Sequence, residues 1–446
     1  MYTYCMQRMV MESLNRWKNS PYRKPLLLKG ARQVGKTWLM KEFGKTAYRN
    51  TVYIDFSNNQ PARRIFDNDL EPRRIIEELG FISGESIGPG ETLVIFDEIQ
   101  ECNRGLNSLK YFCEEAPEYH IIAAGSFLGI ALHDDESFPV GKTDSLTLYP
   151  MTFLEFLRAL DEQQLITAIE KTDPRLAALV KSDLIKFLKY YFYVGGMPEV
   201  VSAFTHEKNF KTIQVIQKRI IADYEDDFSK HIGMRSSDRV IRLWNSIPRQ
   251  LARETKKFVY SDAKPGAKSR DYRSSLFWLS KCGLVYEVDR IALPHYPLAS
   301  YAEPDHFKLY MLDIGLLSAM CGLDIGAFLD RDPAVFDHFH GALAEQYVLG
   351  ELKALGDIPV YYWAREGSAK AEVDFVIQVG DKVIPLEVKA ERNLKAKSLK
   401  LFIDTYNPPA AIRSSLVDLG KTSYSGSVVY EIPLYMAGNL LACLGR

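Results

Sequence analysis

The stretch Lys29-Gly30-Ala31-Arg32-Gln33-Val34-Gly35-Lys36-Thr37 constrains this chain more than any other, because it fits G-x-x-x-x-G-K-[ST]. A short apolar run, Pro25 to Leu28, precedes it, and Trp38-Leu39-Met40-Lys41-Glu42-Phe43 after it has the spacing of a half-buried helix. Strand, glycine loop and helix in that order turn the backbone N–H groups of residues 30–37 inward around α- and β-phosphates, and the helix N-terminus favours the negative charge. Lys36 would reach the β- and γ-phosphates and Thr37 would ligate Mg²⁺. A plain glycine turn is the competing reading. The expected ligand is ATP or GTP, cradled by Gly30, Ala31, Arg32, Gln33, Val34, Gly35, Lys36 and Thr37.

A second constellation supports the first. Thr92-Leu93-Val94-Ile95-Phe96 reads as a buried strand and ends on Asp97-Glu98. Carboxylates at the C-terminal edge of a strand are what Mg²⁺-assisted phosphoryl transfer needs. Asp97 would hold the metal's water shell, and Glu98 would orient or deprotonate the attacking water. Thr51 to Phe56 and Tyr119 to Ala124 read as further strands, the latter running into Gly125-Ser126. Ser126 is the candidate γ-phosphate sensor, against the simpler reading of a Gly-Ser turn. Ser145 to Leu148 would close a five-strand parallel sheet.

Here the sequence resembles the AAA-type ATPases of bacteria and archaea that carry an uncharacterised C-terminal domain. The resemblance rests on Gly30 to Thr37, Phe96-Asp97-Glu98-Ile99-Gln100-Glu101, Ala124-Gly125-Ser126, Phe138-Pro139-Val140-Gly141-Lys142 and Leu148-Tyr149-Pro150-Met151-Thr152-Phe153-Leu154-Glu155-Phe156. It implies ATP rather than GTP, and it places the sensor strand between the glycine-loop strand and the Asp-Glu strand. The chain departs from hexameric AAA+ machines in having Ser126 where they carry Asn, and no arginine finger is identifiable. Arg104 and Lys142 are candidate charge donors, and a finger acting in trans would require a homo-oligomer.

Composition enters where partners are concerned. The 446 residues hold 56 Lys plus Arg against 57 Asp plus Glu, so any nucleic-acid surface must be local. The six cysteines are scattered, without C-x-x-C or zinc spacing, as in a reduced cytosolic protein. Charges interrupt the longer apolar runs, so a soluble cytoplasmic protein with no membrane span is expected.

The rest of the chain divides at composition shifts. Residues 1–160 are expected to form the ATPase domain and 161–222 a helical lid, broken at Gly195-Gly196-Met197-Pro198. The resemblance puts that turn over the nucleotide as a hinge; an ordinary helix connection is the alternative. The acidic run Asp223, Glu225, Asp226 and Asp227 reads as a solvated helix face. Residues 223–335 give helices followed by two strand-like runs, 284–291 and 307–312, the order of a winged helix. Arg249, Arg253, Lys256, Lys257, Lys264, Lys268, Arg270, Arg273 and Lys281 gather there and suit contact with a DNA phosphate backbone, although winged helices also dock proteins.

Residues 336–446 read as helix, three strands, helix and two later strands, an αβββαβ order that resembles the PD-(D/E)xK restriction-endonuclease-like fold. Glu387 and Lys389 are two apart and so share a strand face, beside Asp374 on the neighbouring hairpin strand. Asp374 and Glu387 could hold Mg²⁺, Lys389 could steady the attacking water, and Glu345 would add a carboxylate from the helix. The whole fold is thus expected as α/β: a P-loop ATPase parallel sheet, helical lid, winged-helix middle domain and nuclease-like C-terminal domain. Function is then either ATP-driven action on DNA through a nuclease, or a nucleotide-gated switch or adaptor whose nuclease-like domain only binds.

Overall fold

Strand-length apolar runs separated by helices bury both faces only as a parallel sheet with helical crossovers, and the N-terminal residues do this. The strands are β1 (Leu26–Lys29), β2 (Asn50–Asp55), β3 (Thr92–Asp97), β4 (His120–Ala124) and β5 (Asp144–Thr147). Their order is β2-β3-β4-β1-β5, with every pairing parallel. β4 therefore lies between the glycine-loop strand and the Asp-Glu strand, as expected. The structure is a computed structural model describing residues 7–125, 141–232, 234–253, 256–324, 338–356, 358–365, 371–390 and 396–445. They form two compact units, residues 7–149 with 281–284, and residues 150–280 with 285–445.

In the first unit β3 is buried along its whole length, which its uninterrupted apolar run requires. Val52, Ile54, Val94, Phe96 and Ile121 pack with Phe56, Phe66, Leu109 and Phe112 in one core. The parallel register sets Asp55 beside Asp97, so the polar strand ends share one edge.

The second unit begins with helices. Thr152 caps the helix Phe153–Ala159 through a reciprocal pair: the Glu155 N–H donates to Thr152 Oγ1 at 3.2 Å, and the Thr152 N–H donates to Glu155 Oε2 at 2.9 Å. The next orphan donor, the Phe153 N–H, is met by Glu351 Oε1 at 2.8 Å from the helix His338–Ala354. Gly195 and Gly196 are needed for close approach. A Cβ on Gly195 would lie 2.3 Å from Asp313 Oδ1, and one on Gly196 would lie 2.1 Å from the Met151 carbonyl. Asp313 Oδ2 accepts from the Gly196 N–H at 2.7 Å, and the Met151 N–H donates to the Gly196 carbonyl at 2.7 Å, so this turn is pinned rather than loose. In the acidic run, Asp227 is buried, so the helix Phe210–Ile232 does not present all four carboxylates to solvent.

The remaining strands are β6 (Val285–Ile291), β7 (Ala302–Met311), β8 (Val360–Ala364), β9 (Glu372–Val379), β10 (Lys382–Val388), β11 (Ala410–Ser415), β12 (Gly420–Tyr424) and β13 (Ser427–Pro433). They make one sheet in the order β12-β13-β11-β10-β9-β8-β6-β7. The β6–β7 hairpin, expected as the wing of a winged helix, pairs through β6 with β8 in parallel and so continues the C-terminal sheet. Three strands, not two, follow the helix Lys397–Tyr406. The extra one, β12, is polar and largely exposed at the sheet edge, which is why it lacks a hydrophobic pattern. Among the described residues no helix is long and apolar enough to cross a membrane.

Burial raises the Glu351 carboxyl from 4.5 to about 8, against the Phe153 N–H and with Glu155 adding to the rise. A carboxyl with a raised folded-state pKa contributes stability that is complete below its unfolded pKa and lost as pH rises through the folded one. Glu351→Gln keeps the acceptor for Phe153 and does not titrate. Its melting temperature relative to the native chain is expected to climb between pH 5 and pH 9, by the equivalent of a few kcal/mol. A difference independent of pH would refute this origin.

Candidate functional site

The glycine loop joins β1 to the helix Lys36–Ala47. Gly30 has φ +144°, and a Cβ there would meet the Leu148 carbonyl at 2.4 Å. Gly35 has φ +94° as the residue before the helix, and Gln33 adopts φ +64°. Residues 30–37 are thereby wound back over the helix N-terminus, the geometry that collects backbone N–H groups. Arg8, itself buried, donates to the Val34 carbonyl at 3.0 Å and to the Tyr149 carbonyl at 2.6 Å, holding the loop against the chain leaving β5.

Lys36 is buried, and its ammonium donates to the carbonyls of Gly30 at 2.9 Å and Ala31 at 2.8 Å. Burial pushes it down to about 8, opposed by Glu98 and Asp97. An anion arriving in the loop would therefore favour the charged lysine. Asp97 ends β3 and gathers three donors. Thr37 Oγ1 donates to its Oδ2 at 2.6 Å, the Tyr53 hydroxyl donates to the same oxygen at 3.0 Å, and the Glu98 N–H donates to Oδ1 at 3.1 Å. A hydroxyl and a carboxylate meeting at the loop mouth are the hard oxygen ligands Mg²⁺ takes, so the residues fit that ion. Glu98 stands next in left-handed backbone, φ +50°, and its Oε2 accepts from Gln100 Nε2 at 2.5 Å. A non-glycine residue held there marks local strain of a kind that clusters at functional sites.

Gly30 to Thr37, Asp97 and Glu98 thus come together at one sheet edge. β4 is described as far as Ala124 and Gly125; Ser126 lies outside the described residues. Arg104 and Lys142 are both engaged, Arg104 Nε with the Phe66 carbonyl and Lys142 with Glu114 at 2.8 Å. Tyr53 was missed by sequence reasoning, although its place on alternate positions of the strand beside β3 was a usable signal. Lys41 stands 3.6 Å from the centre of its ring.

The second set of expected residues also converges. Glu345 comes from the helix His338–Ala354, Asp374 from β9, Glu387 from β10 and Lys389 from just beyond it, all within the second unit. Three carboxylates and one lysine were expected; three lysines are present. Lys256 pairs with Glu345, Lys389 Nζ lies 2.6 Å from Glu387 Oε1, and the fully buried Lys308 of β7 lies 2.5 Å from Glu372 Oε1 and 3.7 Å from Glu345 Oε2. Tyr310 donates to Glu345 Oε2 at 2.9 Å, and the Val388 N–H donates to Asp374 Oδ2 at 2.8 Å. Burial raises Asp374 well above the usual carboxylate range, with Glu345 and Glu387 adding to it. Burial would raise Glu345 too, but Lys256 and Lys308 outweigh it and hold that carboxylate low. Both oxygens of Glu345, Oδ2 of Asp374 and Oε1 of Glu387 are taken by ammonium, hydroxyl and amide donors. Among the described residues no three His, Cys, Asp or Glu side chains are arranged to hold a metal ion. This cluster does not fit Mg²⁺.

Comparison with known proteins bears on the domain that carries the first site. Residues 22–157 match the AAA domain family, which supports a P-loop AAA-type ATPase reading of this part of the chain. Residues 185–326 match a domain of unknown function (DUF8612), and residues 340–435 match another (DUF4143). Uncharacterised proteins of Mycobacterium tuberculosis and Mycobacterium bovis are each 31% identical over 113 residues, a stretch that spans 25% of this chain and 21% of the relatives' length. Among solved structures, a Walker-type ATPase of Pyrococcus abyssi is similar at 18% identity and TM-score 0.45, over 71% of this chain and 96% of that one. The ORC1 protein of Aeropyrum pernix, solved in complex with DNA, is similar at 11% identity and TM-score 0.27, over 72% and 92%.

Tyr53→Phe removes one of the donors that orient Asp97 and leaves the ring and its packing. Groups that orient a metal ligand typically change metal affinity by 10–100-fold, so Mn²⁺ affinity in the presence of nucleotide, read by electron paramagnetic resonance, is expected to fall about tenfold. Unchanged Mn²⁺ affinity would mean that Tyr53 is packing alone.

Proposed function

We propose that this chain is a Mg²⁺-dependent ATP-hydrolysing switch, in which the first unit turns over ATP and the second carries the nucleotide state to a bound partner. The observation that carries the reading is Thr37 meeting Asp97 at 2.6 Å, at the mouth of a glycine loop whose lysine is buried. ATP rather than GTP is the nucleotide this reading favours, in keeping with the AAA-domain match.

In this reading the N–H groups of residues 30–37 hold the α- and β-phosphates, and Lys36 leaves the Gly30 and Ala31 carbonyls for phosphate oxygens. Thr37 and Asp97 would hold Mg²⁺, which would supply charge neutralisation at the phosphate oxygens. Glu98 orients the attacking water and accepts its proton, restrained by Gln100 until the substrate is in place. Ser126 reads the γ-phosphate. Because Arg104 and Lys142 are engaged, a transition-state cation supplied by a second copy would complete the site.

For the second unit, DNA is the partner class favoured by the exposed residues Arg249, Lys257, Lys264 and Lys268. Lys256, Arg253 and Arg273 of the same stretch are paired with Glu345, Asp262 and Asp305, which leaves a smaller basic surface than the sequence suggests. The unit is read as a binding module, in keeping with the lysines among its carboxylates.

Lys36→Ala is expected to weaken ATP binding at least about tenfold by removing a charge-assisted contact. Glu98→Gln should retain binding and lose about 100-fold or more in turnover, the usual contribution of a general base. Native turnover in Glu98→Gln would remove Glu98 from the mechanism. DNA binding should weaken steeply with added salt, and binding insensitive to salt would exclude phosphate contact. Mg²⁺-dependent cleavage of DNA or RNA by the native chain, lost in Asp374→Ala and Lys389→Ala, would establish a nuclease in place of the binding module.

A further inference from the structure

The carboxylates at the centre of the eight-stranded sheet pose an electrostatic problem that the ATPase site does not share. Glu345 and Glu387 are each 3% exposed and Asp374 is 9% exposed. Carboxylates this deep need nearby positive charge, from a metal ion or from cationic side chains. Lys308 is 0% exposed, and it reaches the cluster from β7, a strand remote in sequence from the helix and hairpin that carry the carboxylates. A lysine with no access to water is costly unless its charge is used. Its Nζ lies 2.5 Å from Glu372 and 3.7 Å from Glu345, with the Tyr362 ring centre at 4.9 Å. It makes no aligned hydrogen bond, so its contribution is charge rather than directed bonding.

We propose that Lys308 is a resident counter-cation standing in the place of a divalent metal, so that the Glu345, Asp374 and Glu387 cluster is a metal-independent tie between β7, the helix His338–Ala354 and the β9–β10 hairpin. Lys256 and Lys389 complete the neutralisation at the two sides, on Glu345 and Glu387. Glu387 Oε2 is buried without a hydrogen-bond partner, but its Oε1 and both oxygens of Glu345 are already engaged by Lys389, Lys256 and Tyr310. A divalent ion placed there would also face the ammoniums of Lys389 and Lys308. The lysine sits on the hairpin that extends the sheet, so the same contact couples that hairpin to the rest of the unit. This inference does not depend on ATP hydrolysis.

The experiment uses the full chain without nucleotide and Mn²⁺ as the probe. Titration followed by electron paramagnetic resonance should give the same Mn²⁺ stoichiometry for the native chain and for Asp374→Asn, and the native melting temperature should not respond to Mn²⁺ or EDTA. Lys308→Met strips the internal cation while keeping its length. That variant should melt lower than the native chain and regain a few °C when Mn²⁺ occupies the opened cluster. If Lys308→Met does not accumulate as folded protein, Lys256→Met, at the rim of the same cluster, is read in the same way. An extra Mn²⁺ bound by the native chain and lost in Asp374→Asn would overturn the proposal. So would a folded lysine variant that is destabilised to the same extent with and without Mn²⁺.

Discussion

The bend at Gly30 governs the first unit. The backbone turns there at φ +144° with the Leu148 carbonyl so close that no Cβ can be accommodated. This approach is possible because β5 pairs with β1 and the Leu148 N–H donates to the Lys29 carbonyl at 2.8 Å. With the loop pressed against the end of β5 and held by Arg8, the following helix starts where Thr37 can reach Asp97. One strand, β4, separates β1 from β3, so the two strand ends lie about 9–10 Å apart. A side chain from the helix and one from the strand are needed to close that gap, and the 2.6 Å contact between them closes it. Glycine loop and strand-end carboxylate are thus one arrangement.

The second unit is governed by a different constraint, the burial of charge, and it meets that constraint in three ways. Around Glu345, lysines from distant parts of the chain supply opposite charge. At Asp313, backbone N–H groups of Gly196 and Leu316 solvate the carboxylate, and burial still raises it to about 6. At Glu351 one N–H is not enough, and the group is raised to about 8, so its neutral form is favoured at ordinary pH. Each device joins elements far apart in sequence, which is how helices from the start of the unit are fastened to a sheet formed mostly near its end.

Much of this was legible from the residues alone. The glycine loop, the strand ending in Asp97-Glu98 and the glutamate and lysine two apart at the end of β10 all follow local rules: a motif of fixed length, an uninterrupted apolar run, a period of two. The helix cap at Thr152 and Glu155 belongs with them, since a capping box is written in four consecutive residues. β12 escaped because an exposed edge strand has no reason to alternate, and the wing-like hairpin was recognised as a hairpin without its place in the larger sheet.

What the sequence determined by itself was therefore the glycine loop, the strand ending in Asp97-Glu98 and most of the elements that hold them, because those depend on neighbours within a few residues along the chain. Tertiary structure alone decided which side chains meet across strands. Tyr53 finds Asp97 from β2, Lys308 enters an acidic cluster from β7, and the two glycines after Val194 give room to Asp313 and Met151. A lysine in a sequence reads as surface charge. Only the closed sheet, which removes water from around Lys308, makes it an internal counter-ion.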